Sequence, residues 1–154
     1  MITRQDVVDE ALSWKDTPFH DQQCVKGVGV DCAMLGFGVA SELGLVDRKD
    51  RIKIAKYSPE WHYHNNESAL IKAMEMFGCV KVNYHDMDIG DIVVFKYAKT
   101  ESHMGIVIGR DEDSDAWTII HAVKGKATNK VVIGNLGGSL ERNFRGAYRL
   151  PGVE

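Results

Sequence analysis

Residues 27–36 read Gly-Val-Gly-Val-Asp-Cys-Ala-Met-Leu-Gly, a glycine-rich loop that runs directly into an apolar helix. Gly27 and Gly29 can take the positive φ angles of a sharp turn, and Asp31 can cap the helix that follows. Cys32 then lies on the first helical turn, where unpaired N–H groups and the helix dipole favour a thiolate. This pattern indicates a nucleophile. The alternative that it leaves open is a small apolar residue at a helix start.

Two histidines far along the chain are candidates for a partner of this thiol. Strands near 103–109 and 116–122 are joined by a charged turn. A hairpin centred on Glu112 would place His103 and His121 directly opposite each other on one face, with Cβ atoms about 4.5–5.5 Å apart. The alternative is a pair of partly buried histidines whose ring nitrogens bond backbone carbonyls.

Together the three residues match what cysteine hydrolysis requires. The reaction needs a thiolate, a base that takes and returns its proton, and a polar group that orients the base. Cys32, His103 and His121 supply these in chain order. Gly36, one turn beyond Cys32, and Gly105, on the face of His103, are predicted to let helix and sheet approach until sulfur meets imidazole.

With these motifs the chain resembles the NlpC-type cell-wall cysteine peptidases, a family with a papain-like fold. The matching segments follow the family's order over most of residues 10–125 and are Thr17-Pro18-Phe19, Gly29-Val30-Asp31-Cys32, Gly90-Asp91-Ile92-Val93-Val94-Phe95, His103-Met104-Gly105-Ile106-Val107-Ile108-Gly109 and Ile120-His121-Ala122. The run from Gln22 to Leu45 is similar to the branch encoded by tailed phages and gene-transfer particles. The resemblance implies hydrolysis of an amide bond in the peptide stem of peptidoglycan, next to D-glutamate or a diamino acid.

One position departs from the family in a way that bears on catalysis. Phe19 stands where many members carry a tyrosine whose hydroxyl helps to bind the oxyanion, and phenylalanine cannot donate that hydrogen bond. The loss of one oxyanion donor costs about 100- to 1000-fold in rate. His20, Gln22 or a backbone N–H near the thiol could replace it, and Asp31 joins them as a candidate substrate or oxyanion residue.

The pattern of elements predicts an α+β fold in one NlpC-type domain, residues 1–154. The predicted helices lie near 4–15, 31–44 and 68–77, and the predicted strands near 79–84, 91–97, 103–109, 116–122, 130–134 and 144–150. Helices followed by antiparallel strands are typical of this class. The resemblance implies a papain-like arrangement, with the nucleophile-bearing helix packed on the C-terminal antiparallel sheet. Residues 47–67 are predicted to form a rim over the cleft that governs substrate choice.

Composition argues against several other classes. Cys24 is predicted as a loop thiol and Cys79 as a strand core residue. Without CxxC or HExxH, and with His62 and His64 too few as ligands, we expect no metal site and no cofactor. The net charge is −3 and no lysine–arginine stripe with interleaved aromatics occurs, which disfavours nucleic-acid binding.

The N-terminal segment lacks the basic region and apolar core of a signal peptide. No stretch approaches the roughly 20 apolar residues of a membrane span. We therefore expect synthesis in the cytoplasm without membrane insertion, followed by incorporation in a virion tail or release to the cell wall.

Wall polymers are largely anionic, so an acidic protein gains nothing from electrostatic capture and a carrier fits better. The expected partners are the peptidoglycan stem peptide and phage tail-tip proteins. Two alternatives stay open. One is a structural tail-tip protein that keeps the fold with little or no activity, and the other is an acyltransferase or thioesterase of the same fold.

Overall fold

The chain begins with helices and ends in an antiparallel sheet. The computed structural model describes residues 1–54 and 68–154. The helices are α1 (Arg4–Leu12), α2 (Cys32–Glu42), α3 (Ala69–Met76) and α4 (Ser139–Asn143), with short 3-10 helices at Arg48–Lys53 and Tyr84–Asp86. The strands are β1 (Cys24–Val25), β2 (Gly29–Val30), β3 (Val80–Val82), β4 (Ile92–Tyr97), β5 (Thr100–Arg110), β6 (Trp117–Ala122), β7 (Val131–Asn135) and β8 (Phe144–Arg149). This order confirms the predicted α+β class.

Local sequence explains where the helices begin. Thr3 forms a capping box with Asp6 at α1, and Ser68 accepts a hydrogen bond from the Ile71 N–H at α3. Gly78, with φ of +85°, lies just beyond α3 in the left-handed conformation that glycine adopts without strain. In the described part of the chain, no helix combines the length and the apolar character that crossing a membrane requires.

The main sheet has six antiparallel strands in the order β3-β8-β4-β5-β6-β7. Helix α2 packs on one face of this sheet, where Leu35 shares a buried apolar cluster with Met104 and Ile106. A second cluster, which includes Phe95 and Val107, covers the opposite face. Because successive side chains of a strand point to opposite faces, β5 contributes alternately to the two clusters.

A buried charge cluster secures the start of β4. Asp91 is fully buried and accepts hydrogen bonds at 2.8 Å from both Nε and Nη2 of Arg149. Arg4 Nη1 lies 3.2 Å from the same carboxylate, and the Asp88 N–H donates to it at 2.9 Å. The carboxylate is thus paired and hydrogen-bonded, as a buried charge must be. Through Arg4 and Arg149, the Asp91 carboxylate links α1 and β8 to the start of β4, the strand next to β5.

Candidate active site

The loop before α2 holds the start of that helix in place. Asp31 is buried, and its Oδ1 accepts a hydrogen bond from the Met34 N–H at 2.8 Å, which confirms it as the predicted helix cap. Its Oδ2 accepts from the Gln22 N–H at 2.7 Å. One carboxylate therefore fixes both the helix that begins at Cys32 and the loop that precedes it.

The Cys32 thiol lies against the main chain of β5. It is half-buried, and Sγ donates to the Ser102 carbonyl oxygen at 3.5 Å. The backbone N–H of Met104 also reaches the sulfur and lowers its pKa. Because Ser102 and Met104 flank His103, the sulfur lies beside the backbone at the position of the predicted base.

Burial outweighs the helix terminus in setting the charge of this thiol. Loss of solvent raises the pKa of Cys32 to about 12, and the negative charge of Asp31 raises it further. Backbone N–H groups, including that of Ala33, act in the opposite direction. The expectation of a thiolate is therefore wrong for this arrangement, because the N–H groups of a helix start do not compensate for the lost hydration.

The two histidines lie together as predicted, although not in the predicted register. Nε2 of His103 and Nδ1 of His121 are 2.8 Å apart, within hydrogen-bond distance. Pairing of Ile106 with Ile120 brings Gly105 opposite His121, so the histidines are diagonal neighbours rather than directly opposed. A shift of two residues keeps both on one face, since side chains alternate with a period of two.

The turn explains the shifted register. The hairpin closes through a hydrogen bond of 2.8 Å from the Asp111 N–H to the Ala116 carbonyl, so its centre lies beyond Glu112. Asp115 takes a positive φ of +56°, and a register irregularity follows between Val107 and Gly109. Neither feature has a strong sequence signature in a charged turn, so the sequence alone predicts a hairpin centre at Glu112 and not the observed one.

The histidine pair lies on the sheet face that points away from α2. The ring centroid of His103 is 5.7 Å from that of Phe95, whereas Met104 points to the helix. A Cβ on Gly36 would lie 2.5 Å from the Met104 methyl, so Gly36 accommodates Met104 and not an imidazole. The expected close approach of helix to sheet is thus confirmed at Gly36, which lies against Met104 of β5, but not at Gly105, which lies against Ile119 and His121.

The Cys32 thiol contacts the main chain next to His103, whereas the His103 ring contacts Phe95, Tyr97 and His121. Among residues 1–54 and 68–154, no hydrogen bond joins Cys32 to His103 or His121. His103 uses Nε2 toward His121, which leaves Nδ1 as the nitrogen available to a thiol. The structure thus brings His103 and His121 together and places the Cys32 sulfur against the main chain next to His103, and the catalytic roles of the three residues stay predictions.

Both imidazoles are neutral in this environment. Burial, and then the neighbouring His121, lowers the pKa of His103 to about 3. Burial also lowers the pKa of His121 to about 4. Burial thus disfavours the charged forms of Cys32, His103 and His121 alike.

This arrangement predicts acid sensitivity of the fold. Both folded pKa values lie below the ordinary 6.5, so the unfolded chain binds more protons and stability falls as pH drops below about 6.5 toward 3. We expect the free energy of unfolding to fall by on the order of 4 kcal/mol between about pH 7.5 and pH 5, half of it from each histidine, measured by urea denaturation. The double variant His103→Gln/His121→Gln should lose less over this interval, and His20→Gln, at an exposed position, should behave as wild type. An equal loss in the double variant would contradict this origin.

The remaining candidate residues occupy the loop before β1. Phe19 is half-buried, and its N–H donates to the Asn129 carbonyl at 2.9 Å. The His20 N–H donates to the Val30 carbonyl at 3.1 Å, so this loop is attached to β2 just before the nucleophile. The His20 side chain is exposed. The oxyanion roles of these residues stay predictions.

The other two thiols occupy different surroundings. Cys24, expected in a loop, is buried in β1, and its Sγ donates to the Met34 carbonyl at 3.3 Å. Cys79 is half-buried just before β3. Burial raises the pKa of each to about 11.

Two cavities adjoin the start of α2. A small apolar cavity of about 80 Å³ between α2, α3 and the sheet includes Cys32 in its lining, and it is large enough for little more than one side chain. A groove of about 780 Å³, the polar groove, lies between the loop at 20–25 and the 3-10 helix Arg48–Lys53, and charged side chains share its wall with apolar ones. Its size falls in the range of pockets that hold a whole small ligand. The described residues contain no group of three His, Cys, Asp or Glu side chains placed to hold a metal ion, and His62 and His64 lie outside them.

Comparison with known proteins identifies the fold of this chain. No protein-family model and no curated protein matches the sequence. Among solved structures, an NlpC/P60 family protein from Bacillus cereus ATCC 10987 superposes with a TM-score of 0.64 at 18% identity, over 96% of this chain and 40% of that chain. The fold is that of the NlpC/P60 proteins.

Two other NlpC/P60 structures have the same fold as this chain. A protein similar to lipoprotein, of the NLP/P60 family, from Staphylococcus aureus subsp. aureus Mu50 has a TM-score of 0.59 at 18% identity, over 96% of this chain and 41% of that chain. The NlpC/p60 domain of the peptidoglycan hydrolase SagA has a TM-score of 0.59 at 16% identity, over 95% of this chain and 97% of that domain. The chain thus spans about two fifths of the first two proteins. This likeness confirms the predicted papain-like fold.

Sequence reasoning missed two features of the site. The Ser102 carbonyl that accepts the thiol hydrogen is a main-chain group, and no side-chain motif reveals such a group. Arg48 and Arg51 line the polar groove, and the basic run that contains them was visible within the predicted rim at 47–67. Residues 55–67 of that rim lie outside the described residues.

Proposed function

We propose that this chain is a cysteine peptidase or amidase that hydrolyses amide bonds in the peptide stem of bacterial peptidoglycan. The observation that carries the proposal is the Cys32 sulfur against β5 at the position of His103, which in turn is bonded to His121. The fold supports it, since one protein with this fold is described as a peptidoglycan hydrolase. Residues 1–154 would form one peptidase domain.

The proposed reaction assigns one task to each residue. Cys32 Sγ attacks the scissile carbonyl carbon, and its proton passes to Nδ1 of His103 and then to the leaving amine, which leaves a thioester. Water, deprotonated by the same imidazole, attacks the thioester, releases the carboxylic acid and restores the thiol. For Nδ1 to act as a base, Nε2 of His103 must carry hydrogen and donate it to Nδ1 of His121. The observed 2.8 Å contact is compatible with that tautomer.

The protonation states define the order of events. Because burial raises the pKa of the Cys32 thiol and lowers that of His103, we assign the proton transfer to the step in which the sulfur attacks the substrate. The thiol must also exchange its bond to the Ser102 carbonyl for the substrate. We therefore assign the formation of the Cys32–His103 contact to the substrate complex.

A substitution at Phe19 tests how the oxyanion is stabilised. We expect Phe19→Tyr to raise kcat by about tenfold or more with little change in KM, because a new hydroxyl donor would act on the transition state rather than on bound substrate. Steady-state kinetics on a stem peptide measures both constants. Phe19→Leu, which adds no donor, is the matched control. An unchanged or lower kcat in Phe19→Tyr would mean that other groups form the oxyanion site.

A structural tail-tip protein with this fold and little activity is the second candidate. The raised pKa of the Cys32 thiol, the missing hydrogen bond between Cys32 and His103, and a phenylalanine in place of a hydroxyl donor favour it. The charge of −3 favours delivery by a carrier under either proposal. We propose a virion tail as that carrier, which mass spectrometry of purified particles would test.

One experiment separates the two functions. Purified peptidoglycan is digested with wild type and with Cys32→Ala, and the soluble fragments are analysed by mass spectrometry. New stem-peptide termini with wild type alone would support the hydrolase and identify the cleaved bond. Identical fragment sets, with both proteins folded, would favour the structural protein.

A further inference from the structure

The polar groove beside α2 concentrates positive charge in an acidic protein. The 3-10 helix Arg48–Lys53 carries four basic side chains and one aspartate, whereas the whole chain has a net charge of −3. Arg48, Lys49 and Arg51 line the groove together with His20, Gln22 and Gln23. These groups offer several hydrogen-bond donors to one ligand.

Negative charge is largely neutralised on the same surface. Asp21 is the acidic residue among the described groove-lining residues, and its Oδ2 lies 3.3 Å from Lys124 Nζ. Asp47, next to the groove, pairs with Lys49 at 3.3 Å. The two arginines therefore face a groove in which an anion meets little like-charge repulsion.

Main-chain contacts hold both guanidinium groups at the wall of the groove. Arg48 Nη2 donates to the Cys24 carbonyl at 3.0 Å, and Arg51 Nη2 donates to the Gln22 carbonyl. Arg48 Nη1 also pairs with Glu42 Oε1 at 3.2 Å. A guanidinium carries five N–H donors in a planar fork, so both side chains keep donors for a ligand, and Arg51 keeps the larger number. Fixed guanidiniums lose little side-chain entropy when they bind a carboxylate.

The groove is connected to the nucleophile. The Gln22 N–H is held by Asp31, the residue before Cys32. Met34 and Ile54 line both the groove and the apolar cavity that includes Cys32. The groove and the Cys32 cavity therefore share part of their walls, which puts the groove next to the nucleophile.

We propose that this groove is a carboxylate-binding subsite, in which Arg48 and Arg51 bind a free carboxylate of an acidic peptide substrate. The inference rests on the proposed function and specifies its substrate class: a stem peptide with a free carboxylate is preferred over the same peptide as a carboxamide. Planar guanidinium groups suit this task because they form paired, charge-assisted hydrogen bonds with a carboxylate.

Kinetics on two synthetic stem peptides that differ only in carboxylate or carboxamide tests the subsite. We expect wild type to prefer the carboxylate by about tenfold or more in kcat/KM, mainly through KM. Arg48→Gln/Arg51→Gln should reduce this preference to about twofold or less while cleavage of the carboxamide peptide persists. Lys53→Gln removes one charge from the same 3-10 helix but not from the groove lining, and should keep the preference.

Binding to Cys32→Ala by calorimetry separates this inference from the proposed function. Tighter binding of the carboxylate peptide, lost in the Cys32→Ala form of the double arginine variant, supports the subsite even if wild type cleaves neither peptide. Equal binding of the two peptides overturns it, as does an equal loss of preference in Lys53→Gln. Arg51 also holds the loop, so Arg51→Lys, which keeps the positive charge, is compared as well. A reduced preference for the carboxylate peptide in Arg51→Lys supports recognition by the planar guanidinium. An unchanged preference overturns that geometry.

Discussion

Cys32→Ala is expected to reduce kcat for stem-peptide hydrolysis by at least about 1000-fold, because no other group can form the thioester. The fold should survive, since the thiol donates only one long hydrogen bond, 3.5 Å, to the Ser102 carbonyl. Release of stem-peptide fragments from purified peptidoglycan measures the loss. Thermal unfolding of the same samples verifies that the variant is folded.

Cys79→Ala is the matched control for this substitution. Cys79 is a half-buried thiol just before β3, outside the proposed catalytic set. Its substitution should leave hydrolysis within about twofold of wild type. Residual hydrolysis above about one tenth in Cys32→Ala, with Cys79→Ala unchanged, would mean that the thiol is not the nucleophile.

Substitutions of the two histidines are expected to lower kcat by different amounts. His103→Ala should lower kcat by at least about 1000-fold, because it removes the group that carries the proton. His121→Asn should retain about a tenth of wild-type kcat, since its side-chain oxygen can still accept a hydrogen bond from Nε2 of His103. His121→Ala leaves Nε2 of His103 without this acceptor, so its kcat should lie well below that of His121→Asn.

Steady-state kinetics of the three histidine variants measures these differences on one stem peptide. Urea unfolding at neutral pH shows whether each variant keeps the wild-type fold. If His121→Asn were as inactive as His103→Ala while both stayed folded, the division into base and orienting residue would be wrong.

The local sequence was sufficient for most of the secondary structure. Thr3, Asp31 and Ser68 each cap the helix that begins after them, and short runs rich in β-branched and aromatic residues predict β4 and β6. These features depend on neighbours within a few residues, so propensity and capping chemistry determine them. The face shared by His103 and His121 was also predictable, because it depends only on the parity of the register.

The tertiary structure decided the geometry and charge of the site. The hairpin register depends on a positive φ at Asp115 and on an irregularity in β5. As a result, His121 lies opposite Gly105 and not, as the sequence predicted, opposite His103. The charge of Cys32 depends on how much water the packed sheet removes, and that burial outweighs the helix terminus that the motif indicated. The sequence by itself therefore determined which residues share an element and a face. Only tertiary packing decided their distances and ionisation, because both depend on atoms from segments distant in the chain.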